Sequence, residues 1–310
     1  MAEICYSNLT MLSLSIIILS YNTKSLTLKC LKSVYQQTKE IDFQVIVVDN
    51  ASTDGSVEAV KKKFPQAEVI ANKKNLGYGK ANNQGLKKAK GKYILFLNSD
   101  TIILDRAIEK SAALMEKRKE IDLLGCRLLN RDKTVQPSGG FFPYLRRVFY
   151  QMFFIDDLPL INRLIKPYQQ NRKSFYRQLE KVDWASGAFL LLKKKVIEKS
   201  GGFAEEFFMY SEEVELCFRA KKAGFQAWFY PGAQVVHLKG QSSKDGFRAA
   251  VLGEYQGLKA FYQKHQPGWQ MPVLKTILKV GALLRIFIFG ILGGNRQKKE
   301  VYDQAFKMAG

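Results

Sequence analysis

Acidic residues are the scarce class in this chain. Its 310 residues carry 28 aspartates and glutamates against 49 lysines and arginines, a net charge of +21. That imbalance draws the chain toward anions, whether nucleic acid, a membrane surface or phosphorylated small molecules. Cysteine is scarcer still: Cys5, Cys30, Cys126 and Cys217 lie far apart, with no close pair. Their spacing excludes a disulfide framework and a zinc module and suits a reducing cytosol. Long apolar runs are missing too. Val280 to Leu292 is broken by Arg285 and is short for a membrane span. Leu12 to Leu19 lacks the basic flank and cleavage site of a signal peptide, so it is expected to be the first core strand, behind a leader over residues 1–11. No segment is of low complexity. Hydrophobic residues make up 46%, enough for one large α/β domain with decoration or for two domains.

Glycine-rich phosphate cradles are also absent. A dinucleotide fold needs Gly-x-Gly-x-x-Gly directly after its first strand, but here that strand runs into Ser20-Tyr21-Asn22. Gly77 and Gly79 come two strands later without a third glycine in register, and no Walker A sequence occurs. The glycine- and arginine-rich loop expected of a sugar nucleotidyltransferase after its first strand is missing as well.

What is present is an alternation of strands and helices. Leu14 to Leu19, Val45 to Val48, Glu68 to Ile70 and Tyr93 to Leu97 read as strands, with amphipathic helix patterns between them. This is the pattern of a parallel sheet with covering helices. Two strand ends carry a carboxylate: one runs into Asp49-Asn50, the other into Asn98-Ser99-Asp100. In a parallel sheet both would face the crevice beyond the strand ends, where ligands sit. Helix capping is the competing reading of each alone.

Ile102 to Glu120 is helical in pattern, and Leu123 to Leu129 reads as a strand. Over residues 141–180 aromatics and aliphatics alternate with arginines and lysines, which predicts short helices forming a helical insertion or lid, or a face toward a lipid-linked acceptor. Glu212, Glu213 and Glu215 cluster at a predicted helix start, where the dipole alone could account for them. They follow an aromatic run rather than a polar loop, which argues for a site. Phe225 to Tyr230 reads as a last strand, followed by Pro231-Gly232-Ala233 and by Val235-Val236-His237. Lys239, Gln241, Ser242 and Ser243 form a polar loop suited to closing over phosphates. Residues 246–310 read as helical and basic. An apolar stripe from Val273 to Ile291 lies opposite Lys275 and Lys279, and Arg296, Lys298 and Lys299 follow. Amphipathic helices lying on an anionic membrane surface are expected there, with a buried core helix as the alternative.

Five ordered stretches resemble the motifs of the family 2 glycosyltransferases, in their bacterial rhamnosyltransferase-like branch. They are Ser20-Tyr21-Asn22, Val47 to Ser56, Asn75-Leu76-Gly77-Tyr78-Gly79, Ala81 to Gly85 and Asn98-Ser99-Asp100. The resemblance covers about residues 12–245. It implies an α/β fold of GT-A type, a mainly parallel twisted sheet with covering helices, and an enzyme that uses a nucleotide-sugar donor and Mg²⁺ or Mn²⁺. Ser20, Tyr21, Asn22, Asp49, Asn50, Asn75, Gly77, Asn98 and Ser99 would bind the nucleotide sugar. Asp54 is similar to a second acidic position near the nucleotide, with helix capping as its alternative. Asp100 and His237 would bind the metal, which neutralises two phosphates. Asp183 and Trp184 match the acceptor-side segment. The acid cluster matches the family's Glu-Asp-Val-Asp-Leu-Cys pattern, so Glu213 would be the general base, with Glu212 and Glu213 not yet separable. Arg219 would be either a cation near the pyrophosphate or a partner for Glu215.

The resemblance implies an inverting transfer to a hydroxyl of a glycan or lipid-linked acceptor, in cell-surface polysaccharide synthesis. The expected location is cytoplasmic, peripheral on the inner face of the membrane. Two rivals come from other classes: a nucleic-acid-binding protein using the basic charge, and a catalytically inactive partner subunit. The lysines are spread along helices rather than clustered with exposed aromatics, so no nucleic-acid partner is expected.

Overall fold

The computed structural model describes residues 13–238 and 246–310. The leader over residues 1–11, Cys5 and the loop of Lys239, Gln241, Ser242 and Ser243 lie outside the described residues.

The first half alternates as its apolar periodicity requires. Strands β1 (Ser13–Ser20), β2 (Asp42–Asp49), β3 (Glu68–Ala71) and β4 (Tyr93–Asn98) are joined by helices α1 (Lys24–Gln37), α2 (Ser56–Lys63) and α3 (Tyr78–Lys88). Next come β5 (Thr101–Leu104), α4 (Ala107–Lys117), β6 (Leu123–Leu129), β7 (Val135–Gln136) and β8 (Gly139–Gly140). A helical stretch follows with α5 (Leu145–Met152) and α6 (Pro159–Leu164), and then β9 (Glu180–Val182), β10 (Trp184–Ala185) and β11 (Phe189–Lys193). The chain continues through α7 (Lys194–Ser200), α8 (Glu212–Lys222) and β12 (Ala227–His237), and closes with α9 (Gly246–His265), α10 (Gln270–Arg285) and α11 (Arg296–Met308).

The large sheet runs β3-β2-β1-β4-β11-β6-β12-β5. Strands β3, β2, β1 and β4 are mutually parallel, as are β6 and β12. Strand β11 runs antiparallel to both β4 and β6, and β5 antiparallel to β12. Side chains alternate across this sheet as strand geometry dictates. Ile17, Ile94 and Phe96 enter one core layer, and Ile16, Ile18, Tyr93, Leu95 and Leu97 the other. Burying each isoleucine or leucine contributes about 2 kcal/mol, which explains why these runs are apolar without a break.

Two sequence expectations are corrected. Ile102 to Leu104 belongs to a strand, β5, and the helix is confined to Ala107–Lys117. The short segment is claimed by its partner β12 across four register pairs, from Gln234↔Leu104 to His237↔Thr101. Likewise Pro231-Gly232 does not end a strand. It forms a bulge inside the single strand β12, where the pairing with β6 shifts register between Tyr230 and Gln234.

The C-terminal helices are not a detached appendage. In α10, Leu274, Leu278 and Ala282 are fully buried, and Arg285 donates to the Gln151 and Met152 carbonyls of α5 at 2.8 and 2.5 Å. Among the described residues no helix is long and apolar enough to cross a membrane.

Candidate active site

The parallel strand ends form a closely tied floor. At the end of β2, Asn50 spends its whole side chain on the glycine loop. Its Nδ2 donates to Asn75 Oδ1 at 2.9 Å and to the Gly77 carbonyl at 3.1 Å. Its Oδ1 accepts from Asn72 Nδ2 at 3.1 Å and from the Leu76 amide at 3.2 Å. Gly77 has φ +80°, and a Cβ there would stand 2.6 Å from the Phe208 carbonyl, so glycine is required on both counts. That close approach lets the Tyr78 amide donate to the same carbonyl at 2.7 Å, tying the glycine loop to the segment that leads into α8.

Ser20 and Ser99 sit beneath the floor. Their hydroxyls join Thr23 and Thr27 in a buried cluster, with Ser20–Thr27 and Thr23–Ser99 both at 3.1 Å. Asn22, left-handed at φ 52°, accepts from the Thr53 amide at 2.8 Å and donates its own amide to Ser52 Oγ at 2.8 Å, locking one turn to the next. Asp54 caps two helices, accepting from the Lys24 and Ser56 amides at 2.7 and 3.0 Å. Burial alone would raise its pKa, but the bonds from Ser56 and Lys24 hold it below the usual carboxylate range. Among the nucleotide-side candidates, Tyr21 and Asp49 make few side-chain bonds. Tyr21 is exposed, and the buried Asp49 offers Oδ2 with no hydrogen-bond partner among the described residues, while its Oδ1 accepts from Ser52.

Asp100 meets His237 because β5 pairs with β12. The register sets His237 opposite Thr101, and the Leu238 amide donates to the Asp100 carbonyl at 2.9 Å. Asp100 Oδ1 then lies 3.3 Å from His237 Nε2, with Asn98 Nδ2 3.5 Å from the same nitrogen. The other ring nitrogen, Nδ1, is 3.0 Å from Gln136 Oε1.

The acid pair lies at the N-terminus of α8. Two consecutive non-glycine residues before it, Tyr210 and Ser211, are left-handed at φ 71° and 68°, each at a cost of about 1–3 kcal/mol. Helix α9 braces this turn. A Cβ on Gly253 would run into the Tyr210 ring, and one on Gly257 into Ser211 Oγ. Glu212 and Glu213 each retain a buried Oε2 with no hydrogen-bond partner among the described residues. Burial, followed by the charge of Glu213, raises Glu212 well above the carboxylate range, and burial raises Glu213. Tyr78, absent from the sequence-derived site, donates to the Gly187 carbonyl at 2.9 Å. Burial and then the charges of Glu212, Glu213 and Asp100 push its phenol far up. All three carboxylates therefore act on one ring.

Other candidates are placed elsewhere. Asp183 accepts from the Phe142 amide at 3.0 Å, from Arg147 at 3.4 Å and from Lys221 at 2.5 Å. Both its oxygens thus help hold the 141–147 segment against α8. Trp184 is buried, with Nε1 donating to the Tyr168 carbonyl at 3.0 Å. It forms part of the wall and does not project from it. Arg219 is a partner of Glu215, at 2.7 Å, and not of a phosphate. Gln136 is not among the residues the sequence singled out.

Residues 15–201 match the family described as Glycosyl transferase family 2. The chain is 26% identical over 273 residues to an N-acetylglucosaminyl-diphospho-decaprenol L-rhamnosyltransferase of Mycobacterium tuberculosis, covering 84% of this chain and 88% of that protein. It is 41% identical over 103 residues to a poly(ribitol-phosphate) beta-glucosyltransferase of Bacillus spizizenii, which is 31% of this chain and 16% of that protein. A mannosyltransferase of Pyrobaculum calidifontis, solved in complex with GDP-Man and Mn²⁺, is similar in structure with a TM-score of 0.57 and 16% identity, over 96% of this chain and 85% of that one. At that identity the likeness is one of fold, and the fold is GT-A.

Proposed function

Because the chain belongs to glycosyl transferase family 2, we propose that it moves a sugar from a nucleotide-sugar donor to a hydroxyl of a glycan or lipid-linked acceptor, with inversion and with Mg²⁺ or Mn²⁺. One observation carries this reading. Every buried carboxylate oxygen without a hydrogen-bond partner among the described residues belongs to Asp49, Glu212 or Glu213. Buried polar atoms are normally satisfied, and a nucleoside and an acceptor hydroxyl would satisfy these three acids.

The donor set at Asp100 and His237 suits a divalent cation. Among the described residues no group of three histidines, cysteines or acids could hold a metal. Among the described residues the site thus offers two ligands, and diphosphate oxygens of the donor would complete the set. Asp100 Oδ1 and His237 Nε2 lie 3.3 Å apart, so one divalent cation could be held by both. When bound, the cation supplies charge to stabilise the departing nucleoside diphosphate.

The other steps belong to side chains. Asp49 Oδ2 accepts hydrogen bonds from the nucleoside. Glu213, at the more open end of the acid pair, takes the proton of the acceptor hydroxyl. The hydroxyl oxygen bonds to the anomeric carbon as the bond to the phosphate oxygen breaks, so one displacement inverts the configuration without a covalent intermediate. Glu212 lies deeper, and burial followed by the charge of Glu213 raises it well above the carboxylate range, so the two acids share the titration of this corner.

The relative from Mycobacterium tuberculosis is named for a decaprenol-linked acceptor, and an acceptor of that kind would bring this chain to a membrane. Its surface supports peripheral binding on the inner face. Leu160, Leu164, Ile291 and Leu292 are 76%, 87%, 63% and 69% exposed, with Arg163, Arg296, Lys298 and Lys299 nearby in sequence.

Melting curves with UDP-, dTDP- and GDP-sugars, with and without Mn²⁺, test the donor reading. Stabilisation by a nucleotide sugar that deepens with Mn²⁺ is expected, and no shift with any of them would overturn it. The membrane reading is tested by Leu164→Glu with Ile291→Glu, both surface positions. Binding to anionic vesicles should weaken several-fold at unchanged melting temperature, and unchanged binding would overturn it.

A further inference from the structure

We infer that Gln136 is a positioning residue that fixes the tautomer of His237 and aims its free nitrogen at the Asp100 carboxylate. The inference rests on the metal reading of Asp100 and His237, and goes beyond it to the side chain that makes His237 a ligand.

Hydrogen-bond chemistry orients the Gln136 amide without ambiguity. Its nitrogen lies 2.6 Å from the His237 carbonyl and 3.4 Å from the Leu129 carbonyl. Carbonyl oxygens only accept, so the NH₂ group must face them, with one hydrogen for each. Oε1 is thereby turned toward the imidazole, 3.0 Å from Nδ1. An amide oxygen also only accepts, so Nδ1 carries the hydrogen. Neutral His237 is then left with an unprotonated Nε2.

That nitrogen faces Asp100 Oδ1 at 3.3 Å. Apart from the Asn98 amide, which reaches Nε2 at 3.5 Å, the lone pair on that nitrogen confronts a carboxylate oxygen, an arrangement that a cation placed between them relieves. Gln136 is itself buried, so water does not compete for its amide. It grips the backbone and the ring of one residue at once, setting both the position of His237 and its rotation. A partner on the distal nitrogen is the usual means by which a protein orients a metal-binding imidazole, and losing one costs about 10- to 100-fold in metal affinity or activity.

The arrangement comes from three elements distant in sequence. Gln136 lies in the β6–β7 hairpin, opposite Leu128. His237 ends β12, which is parallel to β6, and Asp100 lies in the turn before β5, which is antiparallel to β12.

The test titrates Mn²⁺ into the full chain with UDP, dTDP or GDP present, following the electron paramagnetic resonance signal of the free ion. Gln136→Met keeps the length and removes both kinds of bond, and should weaken Mn²⁺ binding about 10- to 100-fold. Gln136→Glu restores an acceptor for Nδ1–H but sets a carboxylate oxygen against the His237 and Leu129 carbonyls, so it should recover part of that loss, which a purely packing role would not predict. If His237→Ala abolishes Mn²⁺ binding while Gln136→Met leaves it unchanged, the inference is overturned and the metal reading stands. If His237→Ala itself leaves Mn²⁺ binding unchanged, the metal reading beneath it fails.

A second measurement needs no variant of Gln136. The chain has two histidines, so isotope-labelled histidine gives two sets of ring-nitrogen resonances, assigned with His265→Gln. Without metal, at a pH above the ordinary imidazole range, His237 should show the Nδ1–H tautomer. The Nε2–H tautomer would overturn the inference even if Gln136→Met does not fold.

Discussion

Asn50 and Glu212 are both nearly sealed from solvent, at 2% and 5% exposure, yet they are satisfied in opposite ways. Every hydrogen-bonding atom of the Asn50 side chain is in use, and the loops at the ends of β2 and before α3 are tied through it. Glu212 keeps a buried oxygen with no partner among the described residues, beside a second acid in the same condition and behind two left-handed residues. The donor-side floor has left-handed residues too, Asn22 and Ala51, but Asn22 is bonded on both its amide and its side chain. The contrast teaches where the fold concentrates its cost. The strand ends and the glycine loop are tied together within the chain, whereas the acid pair keeps two unpartnered oxygens behind two left-handed residues. Helix α9 holds that corner in place, which gives the C-terminal region a role in the site quite apart from any membrane.

Replacing Glu213 should break this contrast hardest. Glu213→Gln is expected to lower kcat by about 10²- to 10⁴-fold, the usual contribution of a general base, with melting unchanged or raised because a buried charge is removed. A variant that loses stability and keeps its rate would reverse the roles assigned to the two regions.

Asn50→Ala should do the opposite. It strands the Leu76 amide, the Gly77 carbonyl and the Asn72 amide, so unfolding by denaturant should show a loss of about 3 kcal/mol. Its kcat at saturating donor should fall much less than that of Glu213→Gln. If the rate collapses while stability holds, Asn50 touches the donor directly.

The smallest effect lies in the pH dependence. The acid pair is raised in the folded state, so the sign is set. Its contribution to stability is fully present below the unfolded carboxylate range and is lost as pH rises through the raised folded values. The base must be ionised to work, so the acidic limb of kcat/KM should lie above the ordinary carboxylate range. Glu212→Gln removes one member of the pair and should move that limb to lower pH and flatten the stability decline. A limb that does not move would show that the two acids do not titrate as a pair.

Much of this was legible in the chain. The unbroken apolar runs before Asp49 and Asp100 announced strands buried on both faces, and two such ends with carboxylates pointed to one crevice. Glu212 and Glu213 stood out because acids rarely follow a run like Phe207-Phe208-Met209-Tyr210. Other features could not be read. Ile102 to Leu104 has the composition of either element, and only the partner strand β12 decides between them. Asp183 and Trp184 carry the right chemistry for an acceptor, but Arg147, Lys221 and Tyr168 come from elsewhere to occupy them.

The sequence by itself determined the alternating architecture, the ordered motifs, and which acids end their strands, because strand periodicity and motif spacing are local properties. Tertiary structure alone decided which of these residues meet. Asp100 and His237 stand 137 positions apart in the chain, and His237 and Gln136 101 apart. They are joined by pairing between strands that no local pattern specifies. The physical reason is that an apolar run records how deeply it is buried without recording which strand lies beside it, and a polar side chain is assigned its partner only when the sheet closes around it.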